Sequence, residues 1–481
     1  MINRKPLLAI ALALLAFRCA GPGSDNASAR DRRPNIILYV IDGAAAERMS
    51  LYGYERRTTP YLERLAAEGV VFENAYSNSS FTKASVPSFM TSLHSSVLGG
   101  TRSANDPVPP QAVTMAERMR RAGYATEVLT SNPYCGRISG LDRGVDVISE
   151  VNPVRARPSS VDLHRQFWRT REANPAEPYW VHIQTIDVHR PWNTRGRIPG
   201  FRTAAGDIMA FEDLLGRPLE GPAGARVFRM AGDLYDECMS FQDQSLGRLV
   251  ERLRKNGEWE RTLLVVTADH AHVAAGLPFY DPGAPRWDAP VLASHKSRVP
   301  LVFDWPGRIA PGRRLTGKVS LIDIMPTVLD LAGLAPLDVT QGRSLAPLLL
   351  GRRGWKPRPV VFDEFYTEGN NVWGSLEVID GRWGASLRID TRPEGRRSQR
   401  DRLRPAPLLI FDVEADPHAL KSLHEERPDL ARKYAKMLGR LWRNHLELAR
   451  RFTRAGNVPM TPAQIEALRS LGYLQKGTHH P

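Results

Sequence analysis

The stretch NIILYVIDG, residues 35–43, holds six continuous apolar positions after Asn35, four of them Ile or Val, and then stops on Asp42 and Gly43. No polar position alternates with the apolar ones. Such a run suits a parallel strand covered on both faces, and it leaves Asp42 at the strand's C-terminal end. RTLLVVTADH (261–270) repeats the pattern and ends on Asp269 and His270. YATEVLTS (124–131), YWVHIQTID (179–187) and RVPLVFDWPG (298–307) read as further strands. Between them lie helical patterns. TTPYLERLAAEG (58–69) offers Thr59 as N-cap, Pro60 at the first helical position, Leu62, Leu65 and Ala66 on one face, and Gly69 as a stop. Leu246, Leu249, Val250 and Leu253 mark a helix that ends at Gly257, with Cys238 on its apolar face. Strands alternating with helices predict an α/β fold, a doubly wound and mostly parallel sheet flanked by helices.

After GRSLAPLLLG (342–351) the pattern changes. PVVFDEF (359–365), SLEVIDG (375–381), RWGASLRID (382–390) and PLLIFDV (407–413) predict a smaller antiparallel sheet, and residues 427–452 predict a helix beside it. The expected organisation is a catalytic α/β domain over 33–345 and a C-terminal subdomain over 346–481. A very basic loop, 391–405, lies between two of the short strands and reads as a solvated surface.

The N-terminus reads differently. Arg4 and Lys5 precede PLLAIALALLAF (6–17), an apolar core too short to span a bilayer and suited to a secretory signal. Cys19 follows, then a polar linker to residue 32. Three fates fit: lipidation at Cys19 with membrane association, cleavage and release, or retention as an anchor. Each places the protein outside the cytoplasm, in the periplasm or cell envelope. The remaining thiols, Cys135 and Cys238, do not make a disulfide scaffold.

The 481 residues carry 66 Lys and Arg against 52 Asp and Glu, a formal net charge of +14. That balance favours anionic neighbours without choosing among nucleic acid, anionic lipid and a small anionic substrate, and a GC-rich genome gives the same bias. No nucleic-acid-binding motif is present, and the basic residues are scattered.

Ligands of open α/β sheets sit at the C-terminal ends of the strands. Asp42, Asp269 and His270 belong there. Thr82, in SFTKASVPSFMTS (80–92), stands at a predicted helix start. Two carboxylates, an imidazole and a hydroxyl can complete a site for one divalent metal. Taken singly, an Asp after a strand is a common helix cap, and Thr82 reads equally as a cap or as a nucleophile.

The ordered set of segments resembles the sulfatase branch of the alkaline phosphatase superfamily. The similar pieces are RPNIILYVIDG (33–43), residues 52–80, TLLVVTADH (262–270), RVPLVF (298–303), VSLIDIMPTVLDLAGL (319–334) and LLIFDVEADPHALKSL (408–423). IEALRSLGYL (465–474) is similar to tails of bacterial members. The resemblance implies an alkaline-phosphatase-like sheet with a smaller C-terminal antiparallel sheet and helix, and an ester hydrolase using one divalent metal ion. It implies Asp42, Asp269 and His270 as metal ligands. Counting back from Thr91 and Ser92 puts Thr82 at the family's nucleophile position, as both ligand and nucleophile. His189, in IDVHRPW (186–192), matches a histidine that faces substrate, as general acid or binder. His295 or Lys296 falls near a family residue at the anionic group, and Lys83 and Asn78 are further candidates for the anion.

The departures are informative. Threonine cannot be oxidised to formylglycine, and Ala84 and Val86 replace the Pro and Arg of that signature. Ala44, Ala45, Ala46 and Glu47 stand where threonine-type relatives have Leu-Arg-Ala-Asp, and Ala271 replaces the usual Gly. The expected substrate is therefore a phosphate, phosphonate or phosphodiester, or an envelope glycan or lipid bearing one. The alternatives are a sulfate-ester hydrolase without formylglycine and an inactive envelope protein that binds an anionic polymer. Oxygen and imidazole donors suit Zn or Mn better than Ca.

Overall fold

The structure, a computed structural model, describes residues 33–151, 159–190, 192, 221–271, 290–396 and 408–474. Cys19, the whole N-terminal segment, and parts of the 391–405 loop lie outside the described residues. The central sheet is built on β1 (Asn35–Ile41), whose seven residues are all buried. β1 pairs in parallel with β5 (Tyr179–Thr185) on one side and β6 (Thr262–Thr267) on the other. β3 (Ala125–Thr130) pairs in parallel with β5 and with β4 (Val147–Glu150). Every residue of β5 and β6 is also buried. Burial on both faces explains why these strands carry unbroken apolar runs.

Beyond β6 the sheet becomes mixed. The predicted 298–307 strand is two pieces, β7 (Arg298–Val299) and β8 (Leu301–Asp304), separated by Pro300. Proline has no N–H for a ladder and interrupts it. Both pieces run antiparallel to β2 (Val70–Tyr76), and β8 runs antiparallel to β6. β9 (Arg313–Ser320) closes the nine-stranded sheet by pairing in parallel with β2. The order is β4-β3-β5-β1-β6-β8-β2-β7, with β9 beside β2.

The Pro60–Glu68 helix forms where its pattern places it, burying Leu62, Leu65 and Ala66. Its expected cap differs. Thr59 makes no side-chain cap; its hydroxyl instead accepts from the Leu51 N–H at 3.1 Å. The helix start is capped from another element: Asp243, on the long Gly221–Lys255 helix, accepts from the Tyr61 and Leu62 N–H groups at 2.8 Å each. Gly69 follows the helix where only glycine fits, since a Cβ there would lie 2.4 Å from the Phe303 carbonyl oxygen. Cys135 and Cys238 are both buried.

The C-terminal strands form a second, four-stranded antiparallel sheet: β10 (Val360–Glu368), β11 (Asn371–Asp380), β12 (Trp383–Asp390) and β13 (Leu408–Asp412). One face packs Leu376, Val378 and Ile410 against Tyr434 and Leu438 of the Pro428–Ala449 helix. The other packs Val360, Phe362 and Phe411 against Tyr76 and Leu292. Pro34–Pro481 make one compact unit. No helix among the described residues is long and apolar enough to cross a membrane.

Candidate active site

β1 and β6 are neighbours, and their register pairs Val40 with Thr267. The next residues out along both strands bring Asp42 and Asp269 side by side at the C-terminal ends. Gly43 follows Asp42 with φ +72°, a left-handed turn that glycine adopts without a Cβ clash. That turn aims the Gly43 N–H at Asp269 Oδ1, 3.0 Å away. Asp269 Oδ1 also accepts from the His270 N–H at 2.9 Å. Asp42 Oδ2 accepts from Asn132 Nδ2 at 2.7 Å and Gln184 Nε2 at 3.2 Å. Each carboxylate is thus held by one oxygen.

The other oxygens, Asp42 Oδ1 and Asp269 Oδ2, are buried and have no hydrogen-bond partner among the described residues. They lie 4.0 and 3.6 Å from His270 Nε2. Asp42, Asp269 and His270 form a group of donors, all within 4.8 Å of one another, that could hold a metal ion. The His270 Nδ1 lies 3.1 Å from the Ala271 carbonyl, which can only accept, so this nitrogen carries the hydrogen and Nε2 faces the carboxylates. Two orphaned anionic oxygens and an imidazole nitrogen converging in a buried spot fit a cation, because buried like charges are costly without one. Burial, followed by the Asp42 charge, pushes the Asp269 carboxyl up. Burial pushes Asp42 up as well, against the pull of His270. Burial opposes charging His270, but the two carboxylates outweigh it and raise its pKa.

Thr82 opens the Thr82–Thr91 helix, one residue after the N-cap Phe81. Its Oγ1 lies 3.1 Å from His270 Nε2. The helix is tied to the strand end through the Asp269 carbonyl, which accepts from Ser77 and Ser85 hydroxyls at 2.5 Å each. A helix N-terminus brings a partial positive charge to this hydroxyl and to any anion beside it.

His189 reaches the same place through Tyr473. The Tyr473 hydroxyl lies 3.1 Å from Thr82 Oγ1, 3.2 Å from Asn132 Nδ2 and 3.2 Å from His189 Nε2. His189 Nδ1 lies 2.5 Å from the Arg190 carbonyl. Burial lowers its pKa to about 4, with this carbonyl and Asp269 opposing.

The remaining candidates make other contacts. Lys83 is buried and engages Asp106, with Nζ 2.7 Å from its carbonyl and 2.9 Å from Oδ1. The His295 ring faces His418, Nδ1 to Nδ1 at 3.1 Å. Lys296 meets the site through its backbone, its carbonyl accepting from the Ala271 N–H at 3.0 Å. Asn78 is fully buried, and neither side-chain polar atom has a hydrogen-bond partner among the described residues.

Three residues in the site were absent from the sequence-based candidates. Gln184 is a polar side chain inside the buried β5, and Asn132 lies two residues beyond β3; a polar residue near the end of an apolar strand run is the signal that marks both. Tyr473 lies 391 positions from Thr82, and only the similar tail segment pointed to it.

Comparison with known proteins adds a family. Residues 34–334 match the sulfatase family model. An arylsulfatase of Clostridium perfringens is 24% identical over 489 residues, covering 83% of this chain and 93% of the relative. An N-acetylgalactosamine-6-sulfatase of Canis lupus familiaris is 26% identical over 401 residues, covering 75% and 72%. Among solved structures, the phosphonate monoester hydrolase of Agrobacterium radiobacter superposes with a TM-score of 0.63 at 20% identity, over 86% of this chain and 96% of that one. With the α/β sheet, the second antiparallel sheet and a buried Asp-Asp-His cluster at the ends of β1 and β6, the match over more than half the chain means that this protein belongs to the sulfatase family, within the alkaline phosphatase superfamily.

Proposed function

We propose that the protein is a metal-dependent hydrolase or transferase that cleaves an anionic ester, with Thr82 as nucleophile and a phosphate, phosphonate or phosphodiester preferred over a sulfate. The observation that carries this reading is the Thr82 hydroxyl, at a helix N-terminus, 3.1 Å from His270 Nε2, in a site with two buried carboxylate oxygens that have no hydrogen-bond partner among the described residues. A divalent ion held by Asp42, Asp269 and His270, zinc or manganese by the donor set, would supply a Lewis acid that activates an adjacent hydroxyl and offsets anionic charge.

The chain's own residues do the rest. Asn132, Gln184 and the Gly43 and His270 N–H groups fix the two carboxylates, so their inward oxygens cannot swing away. The helix N-terminus draws the anionic group toward Thr82. His189, neutral near pH 7, has Nε2 turned into the site, where it can take a proton and later give it to the departing oxygen. Threonine supports the preference for phosphorus, since it cannot become the hydrated aldehyde that serves sulfate esters in this family. A sulfate-ester hydrolase is the second reading, favoured by the relatedness to an arylsulfatase. The basic N-terminus, short apolar core and Cys19 support export to the cell envelope with a lipid anchor, where an envelope glycan or lipid ester would be the substrate.

The test is a rate panel on zinc- or manganese-loaded protein: 4-nitrophenyl phosphate, bis(4-nitrophenyl) phosphate, 4-nitrophenyl phenylphosphonate and 4-nitrophenyl sulfate. A phosphorus ester is expected to turn over fastest. Thr82→Ala should lose roughly three or more orders of magnitude in kcat while staying folded. Sulfate as the fastest substrate would favour the second reading, and no turnover of any of the four would leave the anion-binding alternative.

A further inference from the structure

The Tyr473 phenol makes three polar contacts, and each partner's chemistry limits its role. His189 Nδ1 faces the Arg190 carbonyl, which can only accept, so Nδ1 carries the ring hydrogen and Nε2 presents a lone pair to Tyr473. The phenol hydrogen therefore points at His189. Asn132 Nδ2 has only hydrogens to offer and donates to the phenol oxygen. With its one hydrogen committed, the phenol can meet Thr82 only as an acceptor; His270 Nε2, 3.1 Å from the same hydroxyl, would compete for the Thr82 hydrogen unless it held an ion, and with that nitrogen so engaged the hydroxyl donates to Tyr473. The result is a directed chain: Thr82 Oγ1–H to Tyr473, and Tyr473 O–H to His189 Nε2.

The segment that delivers Tyr473 is firmly seated. The Pro462–Ser470 helix starts with a capping box between Thr461 and Gln464. Gln464 Nε2 also donates to Glu150 Oε2 at 3.3 Å. Leu468 is fully buried, in a cluster with Tyr134 and Ile138. Gly472, at φ +80°, turns the chain, and the Tyr473 ring packs 4.8 Å from Tyr134, 6.0 Å from Phe81 and 5.6 Å from His189.

We propose that Tyr473 is a catalytic residue, supplied by the C-terminal segment, that aligns the Thr82 hydroxyl for attack and links it to His189. This rests on Thr82 being the nucleophile. In the transfer step a bond forms from Thr82 Oγ1 to the phosphorus or sulfur of the ester, and the bond from that atom to the ester oxygen breaks. The Thr82 hydrogen passes to Tyr473 as the phenol hydrogen passes to His189 Nε2. His189 then gives a proton to the departing oxygen, which leaves as the alcohol, and Tyr473 and His189 end with their starting hydrogen count. Attack of water on the Thr82 ester runs the same chain in reverse.

Tyr473→Phe tests this, because it removes one oxygen and keeps the ring that packs on Phe81 and Tyr134. With the fastest ester of the panel, kcat is expected to fall about 100-fold with KM changed less than about threefold. The acid limb of the pH–rate profile, where His189 becomes protonated, should disappear. His189→Gln combined with Tyr473→Phe should cost no more than the worse single change, the mark of two residues in one chain. An unchanged or raised rate, or fully additive losses, would overturn the proposal; a raised rate would mean that Tyr473 merely plugs the site. Thr82→Ala run in parallel separates the two ideas. If it is inactive while Tyr473→Phe matches wild type, Tyr473 alone is misassigned. If Thr82→Ala turns over normally, the nucleophile reading falls and takes this proposal with it.

Discussion

At the residue scale, the pair Asp42 and Asp269 dominates. Two carboxylates buried side by side repel, and burial already disfavours their charged forms. A cation between them turns a cost into a binding site. Asp269→Asn separates the two effects. Its remaining carbonyl oxygen still accepts from the Gly43 and His270 N–H groups, and its new amide can donate toward Asp42. Metal affinity should drop by about 100-fold or more, since even residues that only orient a ligand contribute 10- to 100-fold. In excess chelator the same variant should melt above wild type, because the repulsion is gone. Metal analysis and thermal melts check both; a variant that keeps its metal would exclude Asp269 as a ligand. Asp42, Asp269, His270, Thr82 and His189 could be nominated from sequence because each stands at a strand end, a helix start or a recognisable motif. Tyr473 could not be placed by spacing, since nothing local says where a tail returns.

At the element scale, strands buried on both faces announce themselves, because only apolar side chains can fill both sides. β9 does not: its sequence RRLTGKVS is half exposed, and it was not predicted. Cap assignments suffer for the same reason. Thr59 has the right chemistry for an N-cap, but Asp243 of another helix reaches the Tyr61 and Leu62 N–H groups first. β8 ends on Asp304, which is buried with neither carboxylate oxygen hydrogen-bonded among the described residues. Burial, aided by Glu68 and opposed by Arg254, pushes its carboxyl up to about 7. The folded chain therefore holds this proton where the unfolded chain, with a pKa near 4, has released it. The stability this gives is full below about pH 4 and is lost as pH rises through about 7. Asp304→Asn should remove that slope: about 2–4 kcal/mol more stable at pH 8 and little changed at pH 4. Denaturant melts at the two pH values check it, and an equal shift at both would contradict it.

At the scale of the whole molecule, the candidate site joins distant parts of one compact unit. Strands β1, β3, β5 and β6 lead into Asp42, Asn132, Gln184 and Asp269, the Thr82 helix is bonded to the Asp269 carbonyl, and the tail adds Tyr473. A metal bound only by the folded form adds about 2.7 kcal/mol at 100 times its Kd. Chelation should therefore lower the wild-type Tm by roughly 2–5 °C and leave Asp269→Asn unmoved. Equal shifts in both proteins would place the metal elsewhere.

The sequence by itself determined the α/β class, the parallel centre of the sheet, the antiparallel C-terminal strands and the strand ends that carry acids. Those features follow from periodicity and burial, which local residue choice encodes. Only the tertiary structure decided which strand ends are neighbours, which oxygens have no partner among the described residues, and that a phenol from the tail stands between Thr82 and His189. Hydrogen bonds across hundreds of positions leave no local pattern, because their geometry exists only once the whole chain has packed.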